Sequence, residues 1–300
     1  MRILVLGGGG MLGHKIFQVL NERHETYGTF RSREGVWVKY PIYRNIDARF
    51  TITGVDAMEF DSVINAFSQV EPDVVINCIG IIKQKEEAKD PIICISVNSL
   101  FPHRLAELCQ LSGTRLIHIS TDCVFSGKKG NYSEDDISDA KDLYGRTKYL
   151  GEVNRSGCLT IRTSIIGWDF ANRSALLEWF LGNRDGTING YVNAIYTGFP
   201  TPTLSRIIGD LISDYPDLSG LYQISSDPIN KFELLSRIND RMNLNIKVIP
   251  EKTFKCDRSL NSTKFRNETG YETPGWDSMI SELILDRIPY EVWRNNNATI

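Results

Sequence analysis

The chain has 300 residues, 41% of them hydrophobic, enough to bury a large α/β core in one domain or two. With 34 basic residues against 37 acidic ones the formal net charge is -3, which gives no electrostatic footprint for nucleic acid or an anionic membrane surface. The six cysteines (Cys78, Cys94, Cys109, Cys123, Cys158 and Cys256) form no C-x-x-C pair and have no histidines at ligand spacing, so they read as reduced thiols and no metal site is expected. A strand at the very start and no apolar run of membrane-spanning length point to a cytoplasmic location.

The run Arg2 to Leu6 is β-branched and aliphatic, Gly7-Gly8-Gly9-Gly10 follows at once, and Met11-Leu12-Gly13 leads into an amphipathic segment. That order predicts a buried strand, a tight turn and a helix over about Met11 to Asn21. Gly7, Gly10 and Gly13 keep the spacing of a backbone that turns sharply, lets a pyrophosphate approach and packs the helix on its strand. Gly7, Gly10, Met11, Leu12 and Gly13 are therefore the first candidate dinucleotide ligands, with the helix N-terminus facing the phosphates.

A second strand is expected near Glu25 to Phe30. Where NAD-binding units place an acid for the ribose hydroxyls, the chain reads Thr29-Phe30-Arg31-Ser32-Arg33. Two guanidiniums and a hydroxyl suit a 2′-phosphate, so Arg31 and Arg33 favour NADPH; with Glu34 serving as the acid, NADH is the alternative. Asp73 to Gly80 and Arg115 to Ser120 are further apolar strands, separated by a helix of about Ser96 to Leu111 that Pro102 should bend. Alternating strands and helices predict a doubly wound parallel sheet with ligands outside the carboxyl ends of its strands, where Gly80, Ser120 and Thr121 fall. His118, inside an apolar strand, reads as a core imidazole. Beyond Thr160 the alternation loosens: a strand at Ile161 to Gly167, helices at Ser174 to Leu181, Thr203 to Tyr215 and Lys231 to Met242, and strands at Gly220 to Ser226 and Ile246 to Pro250. The expected organisation is a Rossmann-type dinucleotide-binding domain over 1–165, rejoined by segments around 190–225, and a smaller C-terminal substrate-binding region over 166–300.

Tyr144-Gly145-Arg146-Thr147-Lys148 sets a phenol and an ammonium four residues apart on one helix face. A neighbouring cation is expected to lower the phenol pKa toward neutrality and so to allow proton exchange. With Thr121 at a strand end and the glycine corner at the start, the set resembles the extended short-chain dehydrogenase/reductase superfamily. Within it, Ser120-Thr121-Asp122-Cys123-Val124-Phe125-Ser126-Gly127 is similar to a stretch of the dTDP-4-dehydrorhamnose reductase family, and Arg162-Thr163-Ser164, Gly198 to Thr203 and Gly220 to Gln223 extend the likeness.

That resemblance implies a sugar-nucleotide reductase in which Tyr144 protonates a ketone oxygen, Thr121 holds that oxygen, and Lys148 tunes the phenol and binds the nicotinamide ribose. It implies further that Asp56 and Ala57 meet the adenine, that Cys78, Ile79, Gly80 and Ser120 line the cofactor, and that Asn98 stands behind the active site. Asp122, Cys123 and Trp168 are implied at the substrate, and Arg258 in Arg258-Ser259-Leu260-Asn261-Ser262 at its diphosphate. Cys123 replaces a tyrosine usual in the family, Asp142-Leu143 an asparagine-containing approach, and Ile165 a tryptophan near the sugar. The expected activity is NADPH-dependent reduction of a UDP- or dTDP-linked 4-keto-6-deoxyhexose for surface polysaccharide. The alternatives are an epimerase, or a non-catalytic NADP-binding regulatory subunit. A homodimer is expected.

Overall fold

The computed structural model describes residues 1–33, 41–43, 45–169, 175–287 and 290–291. Seven parallel strands form its central sheet: β1 (Arg2–Leu6), β2 (Glu25–Phe30), β3 (Thr51–Thr53), β4 (Val74–Asn77), β5 (Arg115–Ile119), β6 (Cys158–Arg162) and, after β7 (Ile165–Ile166), β8 (Thr187–Tyr196) and β9 (Phe199–Pro200), the last sheet member β10 (Gly220–Gln223). Their spatial order is β10-β6-β5-β4-β1-β2-β3, so the chain winds outward from β1 in both directions. Helices cover both faces, and β1, β4, β5 and β6 are buried almost throughout because neither face meets water, with His118, Thr160 and Arg162 as buried polar members. The order reverses between β1 and β4, and a parallel sheet binds its ligands in the crevice that this reversal opens at the carboxyl ends.

The helices are α1 (Gly13–Asn21), α2 (Phe60–Val70), α3 (Pro91–Cys94), α4 (Phe101–Ser112), α5 (Leu143–Leu150), α6 (Leu176–Leu181), α7 (Thr201–Ser213), α8 (Lys231–Met242), α9 (Thr263–Thr269) and α10 (Trp276–Leu285). α1, α7 and α10 pack into one apolar cluster with Trp168 and Tyr290, while α2 and α4 build the cluster on the opposite face. A small sheet stands beside the main one: β11 (Ile229–Asn230) pairs antiparallel with β8, and β12 (Lys247–Asp257) runs parallel to β8 on its other side.

Several elements differ from the sequence reading, each for a local reason. The strand expected at Ile161 to Gly167 is two strands, because Thr163 and Ser164 leave the sheet and Ile165–Ile166 pairs with β9. β12 extends seven residues past Pro250 through a half-buried to exposed stretch, Glu251 to Asp257, in which only Phe254 and Cys256 are apolar, too little to mark a strand in the sequence. The helix expected from Ser96 begins at Pro91, capped by Asp90, whose carboxylate accepts the Ile92 and Ile93 amides. It passes through a π-helical turn, Ile95–Leu100, before α4. Pro102 has no N–H, and its ring would crowd the Asn98 carbonyl four residues back in a regular helix; the wider turn, with the Phe101 amide reaching Ser96, removes that clash. β3 and α2 carry no glycine or catalytic signal, and the sequence reading left them out. The helix expected from Ser174 is described from Leu176 onward; Ser174 and the alternative acid Glu34 lie outside the described residues. Among the described residues no helix is long and apolar enough to cross a membrane.

Candidate active site

The glycine corner closes on itself before it meets any ligand. Gly7 has φ of +85°, and a Cβ built on Gly13 would stand 2.2 Å from the Gly7 carbonyl oxygen, so α1 can reach this depth only without side chains. Thr29 at the end of β2 fixes the turn by accepting the Gly7 amide on Oγ1 at 3.2 Å and the Gly8 amide on its carbonyl at 2.8 Å. Behind the corner, the Tyr43 hydroxyl donates to the Gly8 carbonyl at 2.7 Å, and His14 bridges the Gly10 carbonyl (2.9 Å) and the Tyr290 hydroxyl (2.6 Å). Burial, then the Lys15 charge, hold that imidazole down to about 3 and therefore neutral. Among the described residues the Met11 and Leu12 amides meet no protein acceptor, and Gly10, Met11 and Leu12 face a cavity of about 460 Å³. The corner therefore fits a dinucleotide: a turn packed too closely for a Cβ at Gly13 and held at positive φ at Gly7, with open amides at a helix N-terminus.

The same cavity continues past Cys78, Ile79 and Gly80 to Ser120, Thr121, Asp122, Cys123, Tyr144, Lys148 and Arg258. The fold thus brings the phenol, the ammonium and the hydroxyl together, since β5 ends beneath the first turns of α5. Asp142 starts that helix by accepting the Gly145 amide at 2.9 Å and an ion pair from Lys83 at 2.9 Å, which gives its presence before Tyr144 a local reason. Gly145 is required here, because a Cβ would stand 2.3 Å from the Cys123 carbonyl.

The electrostatics correct one expectation. Tyr144 is raised above the ordinary phenol range: burial dominates, the neighbouring Cys123 thiol adds to it, and the hydrogen bond with Thr121 only partly offsets them. Lys148 Nζ donates to the Ile119 carbonyl at 2.7 Å. Burial lowers Lys148 to about 8, against the opposing pull of Glu152 and Cys78. Lys83 stands over the Tyr144 ring at 5.6 Å from its centroid. Burial raises Cys123 to about 12, keeping it a thiol, and raises Asp122 against the opposing charge of Arg258.

Beneath Lys148 lies a polar cluster that sequence reasoning missed. Glu152 accepts Ser120 Oγ at 2.7 Å and both Nε and Nη2 of Arg162 at 2.8 Å, and the pair is almost wholly buried. Its signal was a carboxylate one helical turn beyond Lys148. Ser120 is thus committed to Glu152, although its residue still lines the cavity.

Six further candidates do not line this cavity. Trp168 is 1% exposed, donates Nε1 to the Leu283 carbonyl at 2.8 Å and stacks on Tyr290; it belongs to the core and does not line the cavity. Asn98 does not line the cavity either. Its amide accepts the Ile81 N–H at 2.8 Å and donates to the Ile81 carbonyl and Thr147 Oγ1, so it clamps the loop after β4 to α5 and has no group left for a cofactor. Arg31 and Arg33 are exposed at the carboxyl end of β2, next to β1, with the Arg33 side chain across Gly54. Asp56, whose carboxylate accepts the Met58 amide, and buried Ala57 lie in the loop after β3. Lys83, Asp169, Tyr196, Lys231 and Phe254 line the cavity without having been singled out from sequence.

The family model for the RmlD substrate binding domain matches residues 1–287. The chain belongs to this family. Among its relatives, a dTDP-4-dehydrorhamnose reductase from Streptomyces griseus is 30% identical over 155 residues, 50% of this chain and 43% of that protein, so the chain spans less than half of its length. The spore coat polysaccharide biosynthesis protein SpsK from Bacillus subtilis is 25% identical over 95% of this chain and 98% of its own. In fold, the RmlD-family chain is similar to a dTDP-4-dehydrorhamnose reductase from Bacillus anthracis crystallised with NADP, with TM-score 0.76 and 21% identity over 95% of this chain and 99% of that one.

The buried pair predicts a stability effect. Replacing Glu152 with Ala strands the Arg162 guanidinium in the interior, and urea denaturation should show a loss of about 3–5 kcal/mol. Glu152→Gln, which keeps an acceptor for Ser120 and Arg162, should lose less.

Proposed function

We propose that the protein uses NADPH to reduce the 4-keto group of a UDP- or dTDP-linked 4-keto-6-deoxyhexose, in the synthesis of surface polysaccharide. The reading is carried by Thr121, Tyr144 and Lys148 facing one cavity that ends at an open glycine corner. The Streptomyces griseus relative supports a reductase and SpsK a role in polysaccharide synthesis, and the guanidiniums of Arg31 and Arg33 support the 2′-phosphorylated cofactor over NADH. In this reading residues 1–165 hold the dinucleotide and 166–300 mainly the sugar nucleotide. Gly7, Gly10, Met11, Leu12 and Gly13 would hold the pyrophosphate, Asp56 and Ala57 the adenine end, and Cys78 to Gly80 the nicotinamide side. Bound NADPH supplies the hydride.

The remaining chemistry belongs to the chain. A phenol held above its ordinary range stays protonated at neutral pH and can act as an acid, so Tyr144 gives its proton to the developing alkoxide. Thr121 Oγ1 orients the same oxygen, and the Lys148 ammonium supplies the positive charge that favours the resulting phenolate. Arg258 donates Nε to the Phe125 carbonyl at 2.7 Å, which aims its guanidinium along the cavity toward the diphosphate. Elimination chemistry of the dehydratase kind is disfavoured, since Cys123 is a neutral thiol where a second carboxylic acid would be needed. As partner we propose a second copy of this chain, packed on the exposed Ile92, Ile95 and Leu100 before α4 and Leu150 on the adjoining α5.

Purified protein offered UDP- and dTDP-4-keto-6-deoxy sugars should consume one equivalent of NADPH per product and use NADH more slowly; turnover without net oxidation would establish the epimerase instead. Tyr144→Phe should lose at least about a hundredfold in kcat, the scale of one acid–base group, with NADPH affinity kept. Unchanged biological activity in that variant would favour a regulatory subunit. Because Lys148 loses its proton as pH rises through about 8, kcat/KM should fall on the alkaline side with an apparent pKa near that value. Sedimentation equilibrium should return a dimer that Ile92→Glu dissociates; a wild-type monomer would remove that partner.

A further inference from the structure

The small sheet contributes one face to the cavity, and its edge strand carries an irregularity that has no role in the folding of the core. β12 and β8 run in register from Lys247 opposite Thr187 to Glu251 opposite Tyr191, and again from Lys255 opposite Asn193. Between those points Lys252, Thr253 and Phe254 occupy the length that Val192 alone spans on β8. The bulge is built and pinned by its own neighbours. The Glu251 carboxylate accepts the Thr253 amide at 2.6 Å, the Thr253 hydroxyl and the Phe254 amide at 3.1 Å, while Asn193 Nδ2 donates to the Lys252 carbonyl at 2.7 Å. Bulges of this kind re-aim side chains, and they concentrate beside binding sites.

What this one re-aims is Phe254. From the last bulge residue onward Phe254, Cys256 and, just past the end of β12, Arg258 are alternate residues, and all three line the cavity. At the rise of an extended strand the row spans roughly 13 Å. Its inner end is the guanidinium, within the electrostatic reach of Cys123, Asp122 and Asp142 at the reacting end. Its outer end is the phenyl ring, 49% exposed at the mouth and braced by Tyr191 at 4.9 Å between centroids, tilted by 51°. Lys231, at the first turn of α8, adds a second cation to the same wall.

We propose that Phe254 is the stacking platform for the pyrimidine base of the sugar nucleotide. The inference rests on the sugar-nucleotide reading above and extends it to a subsite. A nucleotide-linked sugar is itself a row of sugar, diphosphate and base. With the ketone at Thr121 and Tyr144 and the diphosphate at Arg258, the next group outward along β12 meets an uncharged, planar, half-exposed ring. Every pyrimidine presents a flat apolar face to such a ring, so the subsite takes uracil and thymine alike. The glycine corner and the exposed Arg31 and Arg33 lie on the β1–β2 side of the molecule, so the adenine of the dinucleotide does not compete for it.

Calorimetric titration of the full-length protein with UDP, dTDP, inorganic pyrophosphate and NADPH tests the assignment. Stacking on an aromatic side chain accounts for about tenfold in affinity or more. Phe254→Ala and Phe254→Leu should therefore weaken UDP and dTDP by at least about tenfold, Phe254→Trp should retain or strengthen both, and pyrophosphate and NADPH should bind all three variants as they bind the wild type. Phe254 packs at the surface, so thermal unfolding should be unchanged and serves as the folding control. Nucleoside diphosphates binding Phe254→Ala as tightly as wild type would overturn the stacking role and leave the reductase reading standing. A wild-type protein that binds NADPH but neither UDP nor dTDP would overturn both.

Discussion

The constraint on which the functional end of the molecule depends is the approach of Gly13 to the carbonyl of Gly7. It brings the N-terminus of α1 directly over the end of β1, and everything that functions is arranged relative to that end. Because β1, β4 and β5 are parallel and in neighbouring register, their carboxyl ends form one rim. Groups placed just after each strand, Met11, Gly80 and Thr121, therefore meet the same cavity although the chain separates them by more than a hundred residues. A side chain at Gly13 would push α1 off the end of β1, and one at Gly7, already at positive φ, would press on Cys78 and Ile79 after β4.

The parts of the fold that were legible from sequence were those with a local signal. The glycine spacing announced β1 and α1, the apolar runs announced β4 and β5, and a phenol and an amine one helical turn apart announced α5. What was not legible depended on partners distant in the chain. Glu152 becomes a buried network member only because Arg162 returns on the next strand and Ser120 stands at the end of the previous one. Trp168 was read beside the sugar by family likeness, but α10 and Tyr290 approach it from the far end of the chain and enclose it. Asn98 was read as lying near the cofactor, and its amide turns out to be fully used by Ile81 and Thr147.

The electrostatic surprise has the same origin. Four-residue spacing does put Tyr144 and Lys148 on one face, but spacing says nothing about depth. Burial acts on both groups in the direction that disfavours charge, raising the phenol and lowering the ammonium, and it outweighs the pairing that the spacing suggested. A neutral phenol suits a proton donor, so the direction found is the one that a reduction requires.

The clamp formed by Asn98 has a mechanical meaning. It welds the loop after β4 to α5 through three hydrogen bonds, and the Lys83–Asp142 pair fastens the same two elements from outside. The loop after β4 and α5 are consequently a single rigid jaw, which in the proposed reading carries the nicotinamide side and the acid. If the proposed reading holds, accommodation of sugars that differ in size or substituents falls to the opposing jaw, β8 and the edge strand β12, whose residues can diverge without moving Tyr144 relative to the loop after β4.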